Sequence, residues 1–398
     1  MMQQHSFSMA MIALLAVVSA LGPSAMQIFL PGLPIVQEIF QVSNRVAQLT
    51  LSLSMLGIAL GTLFYGPLSD KYGRRPVMLL GIGITLLGSI FCAFAGSIVW
   101  LVVGRFVQAF GGAVGLVLAR AMIRDVYGPR EAARIIATLV MVMVVVPMVS
   151  PALGGELMAR FNWPSVFWFT AAFSLTLAVL MTLRLPETLA EPVPFEGVRA
   201  MLGTFVNLLQ SSAFRGYAFC VTFVSVVFFS FISGAPDIMV SVLGRPPTEY
   251  GYYFIMVPMG FMTGNWLARR FGRIYSIDTM IYIGVLIGLF GIAAAISLQL
   301  MGLRQPIALF APISLTMVGN GITLPNAQAA AINEFPRYAG SASGLTGFLQ
   351  MAFSAVAAQL VAVIFNDTAY PLLFLLLAAS VMSLLCFRFG VSAEKPEY

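Results

Sequence analysis

The sequence predicts an all-α polytopic membrane protein, with twelve transmembrane helices in two pseudo-symmetric six-helix bundles. The first observation is composition: 60% of the 398 residues are hydrophobic and 9% are charged, with a mean hydropathy of +0.94. Soluble domains are about 25% charged, so most of this surface must face lipid. The other two observations are long apolar runs and a motif repeated at half the chain length.

Twelve apolar segments are long enough to cross a bilayer, which requires about 20 residues in a helix. The residues do not alternate between apolar and polar, as they would in a transmembrane β-barrel. The predicted spans are 9–31, 47–68, 76–95, 99–121, 135–157, 164–183, 215–237, 250–268, 277–298, 306–327, 341–365 and 369–388.

A short polar segment occurs twice in the chain. Leu68 to Arg74 reads LSDKYGR, and Leu267 to Arg273, 199 positions later, reads LARRFGR. Each copy follows the second span of a six-span set, which indicates two homologous halves. The second copy has lost the acidic residue, because Arg269 stands where Asp70 stands in the first.

The repeat and the one long connection predict the domain boundaries. Residues 1–185 form the N-terminal six-helix bundle, 186–213 a cytoplasmic linker, and 214–398 the C-terminal six-helix bundle. The second part of the linker places apolar residues at helical spacing and predicts an amphipathic helix on the membrane surface. Nothing in the linker points to chemistry, so we interpret it as a tether.

The basic residues predict the orientation. Placing the N-terminus in the cytoplasm puts sixteen of the 21 Lys and Arg residues on the cytoplasmic side and four on the opposite side. This asymmetry is what the positive-inside rule requires, and it predicts that both termini are cytoplasmic. Arg120 is among the sixteen, whereas Arg105 is left inside a span.

Several classes of function lack the residues they need. The one histidine, His5, lies in the N-terminal tail, and the three cysteines lie inside apolar runs, so the sequence predicts no metal site, cofactor or disulfide framework. A phosphate-binding loop of the kind that drives ATP-dependent pumps is absent from the sequence. No catalytic constellation is present in the predicted spans, so we expect no enzyme. The net charge of +6 reflects topology rather than nucleic-acid binding.

Six segments resemble a known family. GPLSDKYGRRP (66–76), GRFVQAFGGA (104–113) and PMVSPALGG (147–155) resemble the signature turn, the fourth-helix motif and the exporter-type fifth-helix motif of the major facilitator superfamily. MQIFLPGLP (26–34), MIRDVYGPREAARI (122–135) and FPRYAGSASGL (335–345) resemble its Bcr/CflA group of drug-resistance exporters.

The resemblance implies a proton-coupled antiporter that exports small amphipathic drugs by alternating access. It further implies a monomer in the bacterial inner membrane whose partners are a small-molecule substrate, protons and the lipid bilayer. The alternative is a facilitator or proton symporter for a specific nutrient or metabolite. That alternative shares the turn motifs but does not favour a proline-rich fifth helix.

Three charged residues are the first candidates for coupling and gating. Arg105 lies in an apolar helix, where a guanidinium is costly and usually marks a pathway. The resemblance implies a role in proton coupling; the alternative is a structural bond to main-chain carbonyls or to Gln108, three residues on. Asp70 can pair with Arg74 or with the N-terminal dipole of a neighbouring helix, and the resemblance implies that Asp70 and Arg74 hold the cytoplasmic side closed. The alternative is that Arg74 only marks topology.

The first span departs from the pattern of the resembled group, whose members often carry an aspartate where this chain has Gln27. An amide cannot titrate, although it can hydrogen-bond a substrate. A proton would therefore use another acid, and Asp237 and Glu156, at predicted outer helix ends, are the candidates. The alternative for both is a solvated acid at a helix end.

The remaining candidates are of two kinds. Prolines and glycines of the fifth span predict a kinked helix that a partner helix can approach closely, namely Pro147, Pro151, Gly154 and Gly155. The resemblance implies a pliable seam against the eighth helix, and the alternative is generic packing of small residues. Polar and aromatic residues of apolar helices predict a substrate cavity, namely Gln27, Tyr65, Gln108, Phe231, Asn320, Asn326, Gln328 and Gln350. The glycines and proline of GNGITLPNAQ predict local unwinding of the tenth helix.

Overall fold

The computed structural model describes residues 7–189, 198–272, 274–335 and 338–392, and over these ranges the regular structure is helical throughout. The chain divides into two compact units, Met1–Phe195 and Glu196–Tyr398. Parts of the sequence-based predictions lie outside the described residues, namely His5, the linker residues 190–197, Arg273, Arg337 and Lys395.

The described residues of the first unit form seven helices: α1 Met9–Gln27, α2 Leu33–Ile39, α3 Asn44–Ala47, α4 Leu49–Tyr72, α5 Arg74–Ala93, α6 Ile98–Arg160 and α7 Ser165–Arg184. A single 3₁₀ turn, Leu30–Gly32, separates α1 from α2. The Ser8 side chain caps the start of α1 by accepting a hydrogen bond from the Met11 main chain, as short polar side chains commonly do.

In the second unit, the residues that the structure describes form eight helices: α8 Val198–Gln210, α9 Ser212–Asp237, α10 Pro247–Phe254, α11 Met256–Phe271, α12 Ile277–Leu300, α13 Pro306–Glu334, α14 Ala339–Ile364 and α15 Tyr370–Ser392. One π-helical turn, Ile238–Val242, continues α9. The helix α8 covers the part of the linker for which the apolar spacing predicts a surface helix.

Ten helical segments of the described residues are long and apolar enough to cross a membrane. Two of the twelve predicted spans are not among them. The predicted span 250–268 is divided between α10 and α11, because Pro258 has no N–H to donate to the Phe254 carbonyl. The predicted span 135–157 lies in the second part of α6.

The backbone between the predicted fourth and fifth spans is helical, and α6 extends over 63 residues. Arg105 and Gly154, which are 49 residues apart in α6, nevertheless both contact the end of α1, at Ala25 and Ile28. A straight helix would separate them by about 70 Å. The chain therefore reverses direction within α6, and its two parts run in opposite senses beside α1.

Close packing in each unit depends on a pair of glycines that face each other. A Cβ on Gly22 of α1 would lie 2.8 Å from the Gly112 main chain of α6, and a Cβ on Gly216 of α9 would lie 2.9 Å from the Gly390 main chain of α15. Larger residues would force these helices apart. Small residues at such contacts are the usual way in which membrane helices approach each other.

Candidate functional site

Arg105 is buried in the first unit and is held by the end of α1. Its Nη1 donates hydrogen bonds to the Ala25 carbonyl at 2.8 Å and to Gln108 Oε1 at 2.6 Å, and its Nη2 donates to the Met26 carbonyl at 3.3 Å. Its side chain is 1% exposed. All three acceptors are uncharged, and no described carboxylate lies within ion-pair distance of this guanidinium.

The carbonyls of Ala25 and Met26 can accept these bonds because α1 ends at Gln27. The 3₁₀ turn that follows contains Pro31 and closes through a bond from Gly32 to Phe29. The last carbonyls of a helix have no partner within the helix and need another donor. Arg105 provides that donor, so the guanidinium caps the C-terminal end of α1, where a positive charge is favourable.

Two aromatic rings cover the guanidinium of Arg105. Its central carbon lies 5.0 Å from the ring centre of Phe29 and 5.9 Å from that of Phe167, whose rings are 5.2 Å apart. Cation–π contacts of this kind stabilise a cation that has been removed from water. The site therefore combines main-chain carbonyls and ring faces, which offset part of the cost of a buried charge.

A chain of side-chain hydrogen bonds leads from Arg105 to α5. Gln108 accepts from Arg105 and donates from Nε2 to Ser89 Oγ at 2.8 Å, and Ser89 donates to the Thr85 carbonyl at 2.7 Å. Gln108, predicted as a cavity residue, is 1% exposed. Its described contacts connect α6 to α5, and the bonds of Arg105 extend the chain to α1.

Gln27 lies in the same region. It is buried, and its Oε1 has no hydrogen-bond partner among the described residues. The Nε of Arg105 is also buried without a partner. A donor and an acceptor therefore both remain unused near the end of α1.

A second charged cluster lies at the junction of α4 and α5. Arg74 donates from Nε to Asp125 at 2.9 Å and from Nη1 to Asp70 and to Ser69. The side chain of Arg74 is 10% exposed, compared with 24% for Asp125 and 44% for Asp70. The predicted pair of Asp70 and Arg74 is present, and Asp125 is the more buried of the two acidic partners.

Glu187 completes this cluster by capping α5. The residue before α5, Gly73, has a φ of +99° and no side chain with which to cap the helix. The Glu187 carboxylate instead accepts hydrogen bonds from the main-chain N–H groups of Arg74 at 2.9 Å and Arg75 at 3.1 Å. A carboxylate at a helix N-terminus satisfies otherwise unpaired donors and interacts favourably with the helix dipole.

The hydrogen bonds also determine the pKa of Glu187. Partial burial acts to raise this pKa, but four main-chain donors, from Leu189, Arg74, Arg75 and Thr188, outweigh burial and lower the pKa below its usual value. Sequence reasoning missed both Glu187 and Asp125. Asp125 lies in a quoted motif, MIRDVYGPREAARI, and Glu187 follows a proline directly after the sixth span.

In the second unit, two predicted cavity residues form hydrogen bonds to the same helix. Asn320 Nδ2 of α13 donates to the Val224 carbonyl at 3.3 Å, and Gln350 Oε1 of α14 accepts from Ser225 Oγ at 2.9 Å. Val224 and Ser225 are consecutive residues of α9. These two buried amides therefore connect α13 and α14 to α9.

The predicted unwinding of the tenth helix is wrong, because α13 is continuous from Pro306 to Glu334. Its glycines serve close packing instead: a Cβ on Gly319 would overlap the Gly284 main chain, and one on Gly321 would overlap the Phe261 carbonyl. Asn326 donates to the Ile322 carbonyl, one turn back in the same helix, at 2.7 Å, and Gln328 is half-buried.

The two predicted aromatic cavity residues are both buried. Phe231 lies edge-on to Phe310, with ring centres 5.4 Å apart, and its described contacts are those of a packed core residue. Tyr65 lies 5.3 Å from Phe110, and its hydroxyl has no partner among the described residues.

The two candidate proton carriers differ in environment. Asp237 is 5% exposed and lies within continuous helical backbone, because the π turn Ile238–Val242 follows it. The alternative of a solvated residue at a helix end therefore does not describe Asp237. Glu156 is less buried and accepts a hydrogen bond from Arg160 Nε at 3.1 Å, in a pair whose arginine is 74% exposed.

The exporter-type segment of α6 packs against α1. Pro147, Pro151, Gly154 and Gly155 are all buried. A Cβ on Gly154 would overlap the carbonyl oxygen of Ile28. The segment therefore approaches α1 within three residues of the carbonyls that bind Arg105.

Two helical units with apolar spans, buried polar side chains and charged residues at helix ends define a polytopic membrane transporter. The sequence model of the Major Facilitator Superfamily matches residues 12–359, and the chain belongs to this family. Among the structural likenesses is the D-xylose-proton symporter, with a TM-score of 0.75, 13% identity and coverage of 96% of this chain and 98% of that one. This likeness shows the fold alone.

Curated relatives cover nearly the whole chain. An uncharacterized MFS-type transporter, YdgK, of Bacillus subtilis (strain 168) is 32% identical, over 97% of this chain and 96% of its own. The bicyclomycin resistance protein homolog of Haemophilus influenzae (strain ATCC 51907 / DSM 11121 / KW20 / Rd) is 29% identical, over 98% of both chains. The resemblance to the drug-resistance exporter group is thereby confirmed.

Proposed function

We propose that the protein is a proton-coupled antiporter of the bacterial inner membrane that exports small amphipathic drugs from the cytoplasm by alternating access. The observation that carries the proposal is the packing of the exporter-type segment, through Gly154, on the end of α1 beside the buried Arg105. The name of the bicyclomycin-resistance relative supports the same direction of transport.

Asp237 is the proposed proton carrier. Asp237 is 5% exposed inside a membrane-length helix, and acids at such positions usually lie on proton or substrate pathways. Gln27 cannot titrate, and Glu156 is paired with a solvent-exposed arginine. Asp237 is therefore the acid whose surroundings best fit the role.

The cluster around Arg74 has a proposed role in gating. The distribution of basic residues supports a cytoplasmic location for this end of the first unit, and for both termini. Arg74 with Asp70 and Asp125 would hold α4, α5 and α6 together on that side. Residues 1–185 and 214–398 are the proposed bundles, joined by the linker 186–213, and the proposed working form is a monomer.

Transport into proteoliposomes with an imposed pH gradient tests substrate, direction and coupling together. The wild type is expected to move amphipathic antibiotics in exchange for protons that flow down the imposed gradient. Asp237→Asn is expected to bind the antibiotics, but its transport should not respond to the gradient. Glu156→Gln is the matched control and should behave like the wild type. A gradient-responsive Asp237→Asn variant would place the proton site elsewhere, and uptake of a nutrient with no drug transport would contradict export.

A further inference from the structure

Arg120 is a second arginine inside the membrane-crossing part of α6. The membrane-length helical segment that contains it extends from Ile98 to Tyr127, and Arg124 and Asp125 follow Arg120 in the same segment. The charge count alone had assigned Arg120 to the aqueous side.

The guanidinium of Arg120 has no partner among the described residues. Its Nε is buried and makes no hydrogen bond, and no ion pair of the described side chains includes this residue. Two buried arginines of this unit do have partners. Arg74 pairs with two carboxylates, and Arg105 makes three hydrogen bonds. Arg120 is therefore a cation in a membrane-length helix, and the N–H groups of its guanidinium donate to no described residue.

The described acids near this end of the first unit are already engaged. Asp125 is five residues beyond Arg120 in α6, but it accepts from Arg74, as Asp70 also does. The carboxylate of Glu187 caps α5. None of these three groups neutralises Arg120.

The position of Arg120 on α6 leaves it accessible. Leu118, Ala119 and Met122 are fully buried against the rest of the unit, whereas Val117 and Arg120 are half-buried and Arg124 is exposed. Residues at a spacing of three or four share one face of a helix. Arg120 therefore belongs to the face of α6 that is less covered, and its side chain can meet a ligand there.

We propose that Arg120 binds an oxyanion, a carboxylate or phosphate group carried on an apolar body. The group can belong to an amphipathic substrate or to the headgroup of an anionic lipid. A guanidinium presents paired donors that match the two oxygens of such a group, and apolar surroundings strengthen the contact. The same charge disfavours a cationic ligand at this position. As a statement about substrates, the inference rests on the proposed export function.

The test uses the full chain in phosphatidylcholine nanodiscs. Naphthylacetate and naphthylacetamide share one aromatic body, and only the first is an anion; replacing part of the lipid with phosphatidylglycerol supplies the lipid phosphate. Equilibrium dialysis measures binding of the two naphthyl compounds, and the midpoint of thermal unfolding measures the effect of the lipid. The variants are Arg120→Gln, Arg120→Lys and the matched control Arg124→Gln, which removes an exposed arginine one turn away.

In the wild type and in Arg124→Gln, we expect naphthylacetate binding, a rise in the unfolding midpoint with phosphatidylglycerol, or both. In Arg120→Gln the dissociation constant should rise about tenfold or more and the lipid effect should vanish, because a charge-assisted bidentate contact is lost. Arg120→Lys should lie between them, and naphthylacetamide should bind all four proteins alike. The response to each anion identifies whether a substrate-like carboxylate or a lipid phosphate occupies the site.

Equal responses of the wild type and Arg120→Gln to both anions, or no response of the wild type to either, would overturn the inference. If Arg120→Gln does not fold, the comparison of Arg120→Lys with the wild type decides, and equal values overturn it. Export of an uncharged antibiotic from cells is measured separately. Its absence in the wild type would contradict the proposed function and leave the binding result standing.

Discussion

Arg105 donates a hydrogen bond at 2.8 Å to the main-chain carbonyl of Ala25, a residue 80 positions earlier in the chain. The contact joins the middle of one apolar span to the end of another. It also supplies a donor to the carbonyls that the end of α1 at Gln27 leaves without a partner in the helix. The first prediction concerns this contact.

Arg105→Ala should lower the free energy of unfolding in dodecyl maltoside micelles by about 2–4 kcal/mol and abolish transport, since three hydrogen bonds to a charged donor are lost. Gln108→Leu is the control and removes one of these bonds, so we expect about 1–2 kcal/mol. Unfolding by sodium dodecyl sulfate, with the amount of protein in the membrane, provides the measurement. A variant with wild-type stability and no transport would show that Arg105 acts on transport without acting through α1.

Glu187→Ala should destabilise the protein by about 1 kcal/mol or less at neutral pH, because it removes the cap of α5 at a solvent-screened position. The folded pKa of Glu187 is lowered, and its unfolded pKa is near 4.3. The stabilisation is therefore complete above the unfolded pKa and is lost as the pH falls through the folded pKa.

The difference between Glu187→Ala and the wild type should accordingly shrink when unfolding is followed from neutral pH to below the unfolded pKa. Glu156→Ala is the matched control, because its carboxylate pairs with an exposed arginine and should contribute little at any pH. A difference that persists unchanged at acid pH would contradict a cap that depends on the carboxylate charge.

Arg74 should couple more strongly to Asp125 than to Asp70, because Asp125 is the less exposed partner. Double-mutant cycles with Arg74→Gln, Asp125→Asn and Asp70→Asn measure both couplings. We expect about 1–2 kcal/mol for the pair with Asp125 and about 1 kcal/mol or less for the pair with Asp70. Arg75→Gln, which leaves both carboxylates paired with Arg74, is the control, and the reverse order of couplings would refute the prediction.

Gly154→Ala should destabilise the protein by about 1–3 kcal/mol and reduce transport, because the added methyl group overlaps the Ile28 carbonyl and separates α6 from α1. Gly83→Ala in α5 is the matched control, since a Cβ there meets nothing within 4 Å. That substitution should be neutral or slightly stabilising, as alanine favours a helix more than glycine does. Equal effects of the two substitutions on the unfolding midpoint would contradict this packing.

The sequence predicts the helical class and most of the spans, because a helix that crosses a lipid bilayer must be apolar over the length of the crossing. It also offers Arg74, four residues on, as a partner for Asp70, because local spacing on a helix is readable from sequence. For Arg105, bonds to main-chain carbonyls or to Gln108 form one of the two alternatives that the sequence leaves open, and the structure contains both kinds of bond.

Contacts that depend on chain topology were not predictable in this way. Glu187 reaches the start of α5 across 113 residues, and nothing in its immediate sequence distinguishes a helix cap from a linker acid. Glycine and proline in α13 gave the wrong prediction because glycine serves either a break or a close approach, and proline is tolerated inside membrane helices. Only the neighbouring helix decides which applies, as Gly284 does for Gly319.

The contact between Arg105 and α1 uses main-chain atoms, which every residue possesses. Substitutions at positions 25 and 26 can therefore change the side chains and leave both acceptors in place. Gln27 is next to these carbonyls but contributes neither of them. An acid or an amide at position 27 leaves both carbonyl acceptors in place, so ionisable chemistry can be gained or lost there without removing the groups that bind the arginine.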